Sequence, residues 1–406
     1  MKIIRFNSKK LEKIYNCRFA TPKRVQEKVR QIIDDVRQFG DDAVLKYTRK
    51  FDKVKLNPRQ LKVAAIEISG AYQSISPDFV STLKVVIENV NRFYRKNLKK
   101  SWRTKGEDGL VLGENYHPLE RVGIYIPAGT APLVSTVYMT VLPARIAGVK
   151  KIALISPPNA SGQINPHILV VANLLKVDEI YRCGGAQGIA ALAYGTKSIP
   201  KVDKIVGPGN MYVSEAKRQV FGAVDIDMLA GPTELAVIAN RFSNLGYIKA
   251  DLMAQAEHSG GLAVLITTFK AHARQLRDEL GFGYAILVKN MEQAAEVANA
   301  IAPEHLEILV NNPVRILKKV KHAGAIFLGP YSPAAVGDYV AGPSHILPTM
   351  GTAKFFSGLR IDDFSKSTHV ISYSKRALDR YKAPLETVAK LEGLVKHLES
   401  VKVRFS

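Results

Sequence analysis

From Arg121 onward the chain repeats one pattern, in which a short apolar run precedes a longer stretch with helical spacing of apolar residues. The runs include RVGIYIP at 121–127, KKIALISP at 150–157 and GLAVLITT at 261–268. Strands that are apolar on both faces belong to parallel sheets, because helices cover both faces of such sheets. The pattern therefore predicts an α/β fold with two doubly wound, Rossmann-like parallel-sheet units.

The regions on either side of this alternation have helical patterns. Apolar residues between Val25 and Phe39 keep helical spacing, and Gly40 before Asp41 marks the end of one helix and the start of the next. We therefore expect an N-terminal helical extension. After Thr368 the chain is charged and amphipathic, which predicts a C-terminal helical arm of the kind that docks on a partner subunit.

The bulk composition excludes some classes of protein. Two cysteines, Cys17 and Cys183, are too few for a disulfide framework, which favours a reducing, intracellular setting. The N-terminal sequence has no apolar signal segment, and no apolar run is long enough to span a membrane. The net charge of +22 would suit a polyanionic partner, but the basic residues are scattered. We therefore expect a basic surface without specific nucleic-acid binding.

Four loops between the predicted strands and helices are rich in glycine and proline. Ligands of open α/β sheets bind beyond the carboxyl ends of the strands, where such loops let a phosphate approach the backbone. The loops therefore indicate a nucleotide site. Because the GxGxxG fingerprint is missing, tight turns without a ligand stay an open alternative. The loops are PAGTAPL at 127–133, GGAQG at 184–188, GPGN at 207–210 and AGPTE at 230–234.

Two segments carry candidate metal ligands. In the helix that opens near Tyr247, the inward-facing positions continue to Gln255 and then His258, so both polar groups are predicted to point at the core. They are then either hydrogen-bonded or bound to a metal. The segment AVGDYVAGPSHILP adds Asp338 and His345 on a predicted loop. Imidazole and carboxylate are both suitable ligands for Zn²⁺. The alternative for Asp338 is a carboxylate that is hydrogen-bonded within a turn.

Two acid–imidazole pairs occur in the sequence, and the first is a candidate for proton transfer. In IAPEHLEILV, Glu304 and His305 follow Pro303 at a predicted helix-to-strand junction. They are either two proton-transfer groups, or a pair in which one residue caps a helix N-terminus or both lie on the surface. In the tail, Glu392 and His397 would face different directions on one continuous helix. A break at Gly393 would let them converge.

These segments, taken together, resemble the histidinol dehydrogenase family. The likeness rests on AQAEH at 254–258, APEHLEI at 302–308, GPYSPAAVGDYVAGPSHILPT at 329–349, GGAQGIAALAYGT at 184–196 and EGLVKH at 392–397. It runs from about residue 20 to the C-terminus. The motifs are long and occur in the same order as in the family.

The resemblance implies a cytoplasmic homodimer with shared active sites, which oxidises L-histidinol through the aldehyde to L-histidine with two NAD⁺. It also implies one zinc per subunit, held by Gln255, His258, Asp338 and His397 of the partner subunit; manganese or cobalt would accept the same donors. His305 would be the base for the alcohol and Glu304 would activate water on the aldehyde. The remaining implied contacts are Thr233, His305 and Glu392 with the substrate, and Tyr125, Gln187 and Asn210 with NAD⁺.

The predicted domains follow from this assignment. Residues 1–115 with 235–365 form one Rossmann-like domain including the helical extension, 116–234 form the second, and 366–406 form a dimerisation arm. Two positions depart from the family pattern, since Thr233 replaces the more frequent Ser and Ser344 the usual Asn.

Two other classes of function have distinct signatures. A zinc hydrolase built from the same donors would release product without NAD⁺. A nucleic-acid-binding protein would be retained on DNA with a steep salt dependence. Cys183 offers a thiol for aldehyde chemistry, although we interpret it as a small residue that fills a strand end.

Overall fold

A computed structural model describes residues 1–6, 11, 14, 21–128, 132–258 and 260–406. Cys17 and the centre of the PAGTAPL loop, residues 129–131, lie outside the described residues. No helix in the described part of the chain is long and apolar enough to cross a membrane.

Two parallel sheets form the framework, which confirms the predicted fold class. The six-stranded sheet has the order β1-β11-β10-β9-β12-β13 and the five-stranded sheet the order β6-β5-β4-β7-β8. The strands of the first are β1 (Lys2–Arg5), β9 (Glu234–Ala239), β10 (Leu262–Thr267), β11 (Tyr284–Leu287), β12 (His305–Ile308) and β13 (Ala325–Leu328). Those of the second are β4 (Arg121–Tyr125), β5 (Lys151–Ser156), β6 (Glu179–Arg182), β7 (Lys204–Val206) and β8 (Asp225–Ile226). Strand β1 is an edge strand that the sequence patterns did not reveal.

Helices occupy most of the chain between these strands. In the N-terminal part they are α1 (Lys23–Phe39), α2 (Asp41–Phe51), α3 (Pro58–Leu61), α4 (Ala65–Ala71) and α5 (Pro77–Arg95). The five-stranded sheet alternates with α6 (Val134–Ala147), α7 (Pro166–Leu174), α8 (Gly185–Tyr194) and α9 (Met211–Val220). The six-stranded sheet alternates with α10 (Leu245–Ala256), α11 (Lys270–Glu279), α12 (Met291–Ile301), α13 (Pro313–Leu317) and α14 (Ala334–Tyr339).

Each sheet buries both faces, because successive side chains along a strand point to opposite sides. On β12, Leu306 and Ile308 join the apolar cluster that contains residues of α12. The opposite face of the six-stranded sheet packs on Ile248 and Leu252 of α10. His305 and Glu307 alternate with Leu306 and Ile308, so their side chains point to the α10 side of the sheet.

The chain divides into two compact units, of which residues 1–97 and 119–364 form the first. The second consists of residues 98–118 and 365–406. It contains a three-stranded antiparallel sheet that the sequence patterns missed, followed by three helices. Its elements are β2 (Trp102–Lys105), β3 (Val111–Pro118), β14 (Ser365–Ser372), α15 (Lys375–Arg380), α16 (Lys382–Leu391) and α17 (Val395–Lys402).

The second unit corrects one detail of the predicted C-terminal arm. The chain continues as strand β14 to Ser372, paired along β3, before the helices begin. Gly393, with φ of 71°, separates α16 from α17 as expected. The domain boundaries proposed from the sequence stay a prediction.

Candidate active site

Glu304 and His305 lie at the amino end of β12. Glu234 opens the neighbouring strand β9, and Gln255 and His258 lie on the segment that leads into β10. The parallel strands β10, β9 and β12 begin at the same edge of the sheet. The predicted catalytic and metal-binding residues of the first unit therefore gather at an amino edge, whereas ligands of open α/β sheets are expected at carboxyl ends.

The chain reaches this position through a sharp change of direction. Helix α12 ends at Ile301, and Ala302 adopts a left-handed conformation with φ of 51°. Pro303 follows and cannot continue a helix, so the backbone becomes extended and enters β12 at His305. This confirms the predicted helix-to-strand junction, and both Glu304 and His305 are buried there.

Glu304 is held by reciprocal hydrogen bonds with Glu234. The Glu234 backbone N–H donates to Glu304 Oε2 at 3.0 Å, and the Glu304 backbone N–H donates to Glu234 Oε2 at 3.3 Å. The Met350 N–H donates to the other carboxylate oxygen of Glu234 at 3.0 Å. The two buried carboxyls therefore have fixed positions at the ends of adjacent strands.

Burial controls the protonation of both carboxyls. It raises the pKa of Glu304 above its usual value, against the lowering effects of His305 and of a hydrogen bond with Thr233. Burial, followed by the charge of Glu304, raises the pKa of Glu234 to about 7. A carboxyl with a raised pKa takes up a proton more readily than an exposed one, which is a property that acid–base catalysis uses.

His305 lies between two acidic groups. Its Nε2 is 3.4 Å from Asp338 Oδ1, its Nδ1 is 3.7 Å from Glu304 Oε2, and Nδ1 also lies 3.3 Å from the Glu234 carbonyl oxygen. Burial by itself would lower the pKa of His305, but Asp338 and Glu304 outweigh it and raise the pKa to about 9. The two acidic neighbours therefore favour the imidazolium form, so His305 holds a proton firmly once it has accepted one.

Asp338 is on the short helix α14, not on the loop predicted from the sequence. The backbone carbonyl of Asp338 is 2.9 Å from His345 Nδ1, and the opposite nitrogen of His345 is 3.3 Å from Thr136 Oγ1. His345 therefore supports the backbone that carries Asp338. Burial would raise the pKa of Asp338, but contact with His305 and the charges of His345 and His258 lower it.

Gln255 and His258 differ in burial, which corrects the prediction that both point into the core. Gln255 is in the last turn of α10 and is buried, but the helix ends at Ala256 and His258 is exposed. The amide nitrogen of Gln255 is buried without a hydrogen-bond partner in the described structure. An unpaired buried amide nitrogen is costly, and a half-turn of the side-chain amide would exchange its nitrogen for its oxygen, so Gln255 can offer that oxygen to a metal instead.

Within the described residues, no group of three or more His, Cys, Asp and Glu side chains has the arrangement of a metal site. The predicted zinc ligands are not a cluster of this type, because they include the Gln255 amide and the imidazole of His397 of the partner subunit. The unpaired amide of Gln255 and the influence of His258 on Asp338 are consistent with that set. Amide oxygen, imidazole and carboxylate are donors that Zn²⁺ accepts.

The predicted nucleotide residues lie at the carboxyl edge of the five-stranded sheet. Tyr125 ends β4 and is buried, and its hydroxyl accepts from the Gly185 N–H at 3.3 Å. Gln187 is buried in the first turn of α8, and its Oε1 has no hydrogen-bond partner in the described structure. Asn210 caps α9, accepting from Tyr212 N–H and Val213 N–H at 3.0 and 3.1 Å.

Glycine is required where these loops meet. Gly207 has φ of 114°, and a Cβ there would lie 2.3 Å from the Tyr125 carbonyl oxygen. Gly185 has φ of 60°, and a Cβ would lie 2.7 Å from Gln187 Oε1. A larger residue at either position would displace Tyr125 or Gln187, both of them predicted nucleotide contacts.

The structure also locates four other residues that the sequence singled out. Glu392 follows α16 and His397 lies within α17, both in the second unit. Ser344 is buried, and its hydroxyl accepts from the Ile346 N–H at 3.2 Å. Cys183 is fully buried, and burial raises the pKa of its thiol far above the usual value, which agrees with a packing role rather than a nucleophile.

Sequence reasoning missed three acidic residues around the site: Glu234, Glu307 and Asp251. Each sits in or next to an apolar run, as in TELAVIAN and APEHLEI. A carboxyl on a strand with two buried faces itself indicates a paired or functional group, because carboxyls are rarely buried without a partner.

A sequence profile, curated relatives and a solved structure that superimposes over the whole chain point to one family. The sequence profile of histidinol dehydrogenase matches residues 18–405. The histidinol dehydrogenase of Listeria innocua is 46% identical over 401 residues, covering 94% of this chain and 93% of the relative. That of Clostridium acetobutylicum is 46% identical, covering 93% and 91%. The crystal structure of histidinol dehydrogenase from Elizabethkingia anophelis superimposes with a TM-score of 0.93 at 33% identity, covering 100% of this chain and 98% of that one.

Proposed function

This chain belongs to the histidinol dehydrogenase family, and we propose that it uses NAD⁺ and a zinc ion to carry out the family's oxidation of L-histidinol to L-histidine. The observation that carries the proposal is the buried pair of Glu304 and His305, with Asp338 at 3.4 Å from the imidazole. A carboxyl and an imidazole side by side, each with its own acidic neighbour, suit two successive proton transfers.

In the proposed first oxidation, the neutral form of His305, which predominates above about pH 9, removes the hydroxyl proton of the alcohol. The carbon–hydrogen pair of electrons leaves as hydride to NAD⁺, and the aldehyde forms. Asp338 stabilises the imidazolium that results, since its oxygen faces His305 Nε2. Thr233, His305 and Glu392 are the proposed substrate contacts besides the metal ligands.

In the proposed second oxidation, Glu304 removes a proton from a water molecule that adds to the aldehyde carbon. The resulting adduct, the hydrate without that proton, transfers hydride to a second NAD⁺ and becomes the carboxylic acid, which releases its remaining proton to solvent as the carboxylate of histidine. Burial raises the pKa of Glu304, which lets the carboxyl hold the proton it has taken. Its position is fixed by the Glu234 backbone N–H, so a water molecule would meet it in one orientation.

Gln255, His258, Asp338 and His397 of the partner subunit are the proposed zinc ligands. A bound zinc would act as a template that holds the substrate's imidazole and amine. The unpaired amide of Gln255 supports this assignment. The proposal therefore includes a homodimer with shared active sites, and the single described cysteine, unpaired and buried, suits a cytoplasmic setting.

Tyr125, Gln187 and Asn210 are the proposed contacts of NAD⁺. Two features support the assignment, namely the unpaired Oε1 of buried Gln187 and the glycine-dependent approach of the loops around it. Their place at the carboxyl edge of the five-stranded sheet is the usual one for a nucleotide in an open α/β fold.

The test is NADH absorbance after L-histidinol and NAD⁺ are added to purified protein, with and without prior removal of metal by a chelator. We expect about two NADH for each histidinol, loss of activity on chelation and recovery with added zinc. Absence of NADH from folded, zinc-loaded protein would contradict the proposal, and Thr233 and Ser344 would then be the first positions to examine for an altered substrate.

A further inference from the structure

Glu307 is a fully buried carboxyl that the proposed chemistry does not use. It lies two residues after His305 on β12, so both side chains point to the face of the sheet that packs against α10. Such a group is costly to bury unless its oxygens are hydrogen-bonded. The partners of the two Glu307 oxygens therefore indicate why the carboxyl is buried there.

One oxygen of Glu307 anchors the helix that carries Asp338. The Ala334 backbone N–H donates to Glu307 Oε1 at 2.7 Å. Ala334 is the first residue of α14, and Asp338 follows about one turn later. The hydrogen bond therefore ties the start of α14 to the strand of His305.

The other oxygen of Glu307 faces the helix that carries Gln255. Burial, followed by the charge of Asp251, raises the pKa of Glu307 to about 8, and burial raises that of Asp251. Glu307 Oε2 has no other hydrogen-bond partner in the described structure, and a side-chain hydrogen bond between Glu307 and Asp251 affects the pKa of both groups, so a proton held between the two carboxyls satisfies this oxygen. Asp251 lies on α10 about one turn before Gln255.

Three elements therefore meet at one carboxyl, and each carries a residue of the proposed site. Strand β12 carries His305, α14 carries Asp338 and α10 carries Gln255. Metal ligands must keep oxygen–metal distances near 2.0–2.2 Å, so small movements of α10 or α14 weaken binding.

We propose that Glu307 is a positioning residue of the zinc site, which, together with Asp251, holds α14 and α10 against β12 so that Asp338 and Gln255 reach the same ion. The inference rests on the proposed function, because the zinc site is itself part of that proposal. It assigns Glu307 no contact with substrate, NAD⁺ or metal.

Three variants separate positioning from general stability. Glu307→Leu removes both acceptors, whereas Glu307→Gln keeps an oxygen for the Ala334 N–H and offers an N–H to Asp251. Ala334→Pro leaves the carboxyl intact and deletes only the N–H that it accepts. Proline suits the first position of a helix, and Pro333 has the extended conformation, φ −67° and ψ 154°, that a following proline requires.

Zinc affinity is measured by competition with a chromophoric chelator, and the site geometry by the visible spectrum of the cobalt-substituted protein. We expect zinc binding about 10- to 100-fold weaker in Glu307→Leu and Ala334→Pro, with a changed cobalt spectrum. Glu307→Gln should stay within about threefold of the wild type, and NAD⁺ affinity should be unchanged in all three, because the nucleotide loops belong to the other sheet.

Wild-type zinc affinity and an unaltered cobalt spectrum in Ala334→Pro would overturn the inference, even if Glu307→Leu failed to fold. An equal loss of zinc affinity in Glu307→Gln and Glu307→Leu would also overturn the inference, because the side-chain oxygen that accepts from the Ala334 N–H would then be irrelevant. A wild-type protein that binds no zinc would instead refute the proposed function, and the inference with it.

Discussion

Glu304 and His305 are neighbours in sequence, yet extended backbone gives their side chains different surroundings. Glu304 is fixed by the backbone of Glu234, whereas His305 faces Asp338. Burial is the main influence on the pKa of Glu304, while acidic neighbours overcome burial at His305. At the scale of single residues, the two proposed proton-transfer groups thus differ in the main cause of their pKa shifts, although each also affects the other.

The variant Glu304→Gln tests the role of the carboxyl in the second oxidation. We expect zinc to stay bound and the oxidation of added aldehyde to slow by about 10²- to 10⁴-fold, because the amide cannot take a proton from water. The amide still accepts from the Glu234 N–H, so the fold should be retained. Zinc content and single-turnover NADH formation are the measurements, and aldehyde turnover at the wild-type rate would refute the assigned role.

Glu234 predicts a specific dependence of stability on pH. Its pKa is raised from 4.5 to about 7 in the folded chain, so between these values the folded state binds more protons than the unfolded state. Its contribution to the free energy of unfolding is therefore most favourable below pH 4.5 and falls as the pH rises to about 7. Relative to Glu234→Gln, the wild type should lose roughly 2–3 kcal/mol between pH 4.5 and 7.5.

Urea unfolding at several pH values between these limits measures this difference. The variant Glu279→Gln is a suitable control, because Glu279 is exposed and pairs with Lys249 at the surface. Parallel pH profiles for the wild type and Glu234→Gln would show that burial does not hold a proton on Glu234.

At the scale of elements, a buried ion pair stabilises the loop that follows β7. Lys217 on α9 donates to the Gly207 carbonyl at 3.0 Å and to the Asp227 carboxylate. Asp227 also accepts from the N–H groups of Gly207 and Met228 at 2.7 and 2.6 Å. The loop containing Asn210 is thus attached to both α9 and the residue after β8, which gives the proposed nucleotide site a rigid base.

Replacing Lys217 with Met tests this attachment. The substitution leaves the Asp227 carboxylate buried without its cation, so we expect the free energy of unfolding to fall by about 3–5 kcal/mol. Urea denaturation gives the value, with exposed Lys197→Met as the matched control. A change below about 1 kcal/mol would mean that the backbone N–H groups alone stabilise Asp227.

At the scale of the whole molecule, the proposed site residues are divided between the two compact units. Gln255, His258 and Asp338 belong to the first unit, whereas Glu392 and His397 belong to the second. The proposed assignment of His397 to the partner's site makes the homodimer a condition of activity. Each subunit would then supply the body of one site and the tail of the other.

Mixing two inactive variants tests the shared site. His397→Asn and Gln255→Ala should each lose zinc and activity as pure proteins. After subunit exchange, a mixed dimer contains one complete site, so about a quarter of all sites should recover at equal amounts. Zinc content and NADH formation after exchange are the measurements, and a mixture as inactive as its components would refute sharing.

Several local features followed from the sequence because they depend on nearest neighbours. The alternation after Arg121 predicted both parallel sheets, and Gly40, Pro303 and Gly393 marked real ends of helices. The adjacency of Glu304 and His305 at the start of a strand was also evident. The antiparallel sheet of the second unit was missed, because β3 pairs with a strand more than 200 residues away along the chain.

The sequence by itself therefore determined the class of fold, the helix ends and the candidate residues, since these follow from periodicity, backbone preferences and motifs. Only the tertiary structure decided that the site lies at an amino edge, that Glu234 holds Glu304 and that Asp338 faces His305. It also decided that His258 is exposed and that Glu307 meets α10 and α14. These contacts depend on strand register and helix docking, which join residues far apart in sequence, and local patterns contain no information about either.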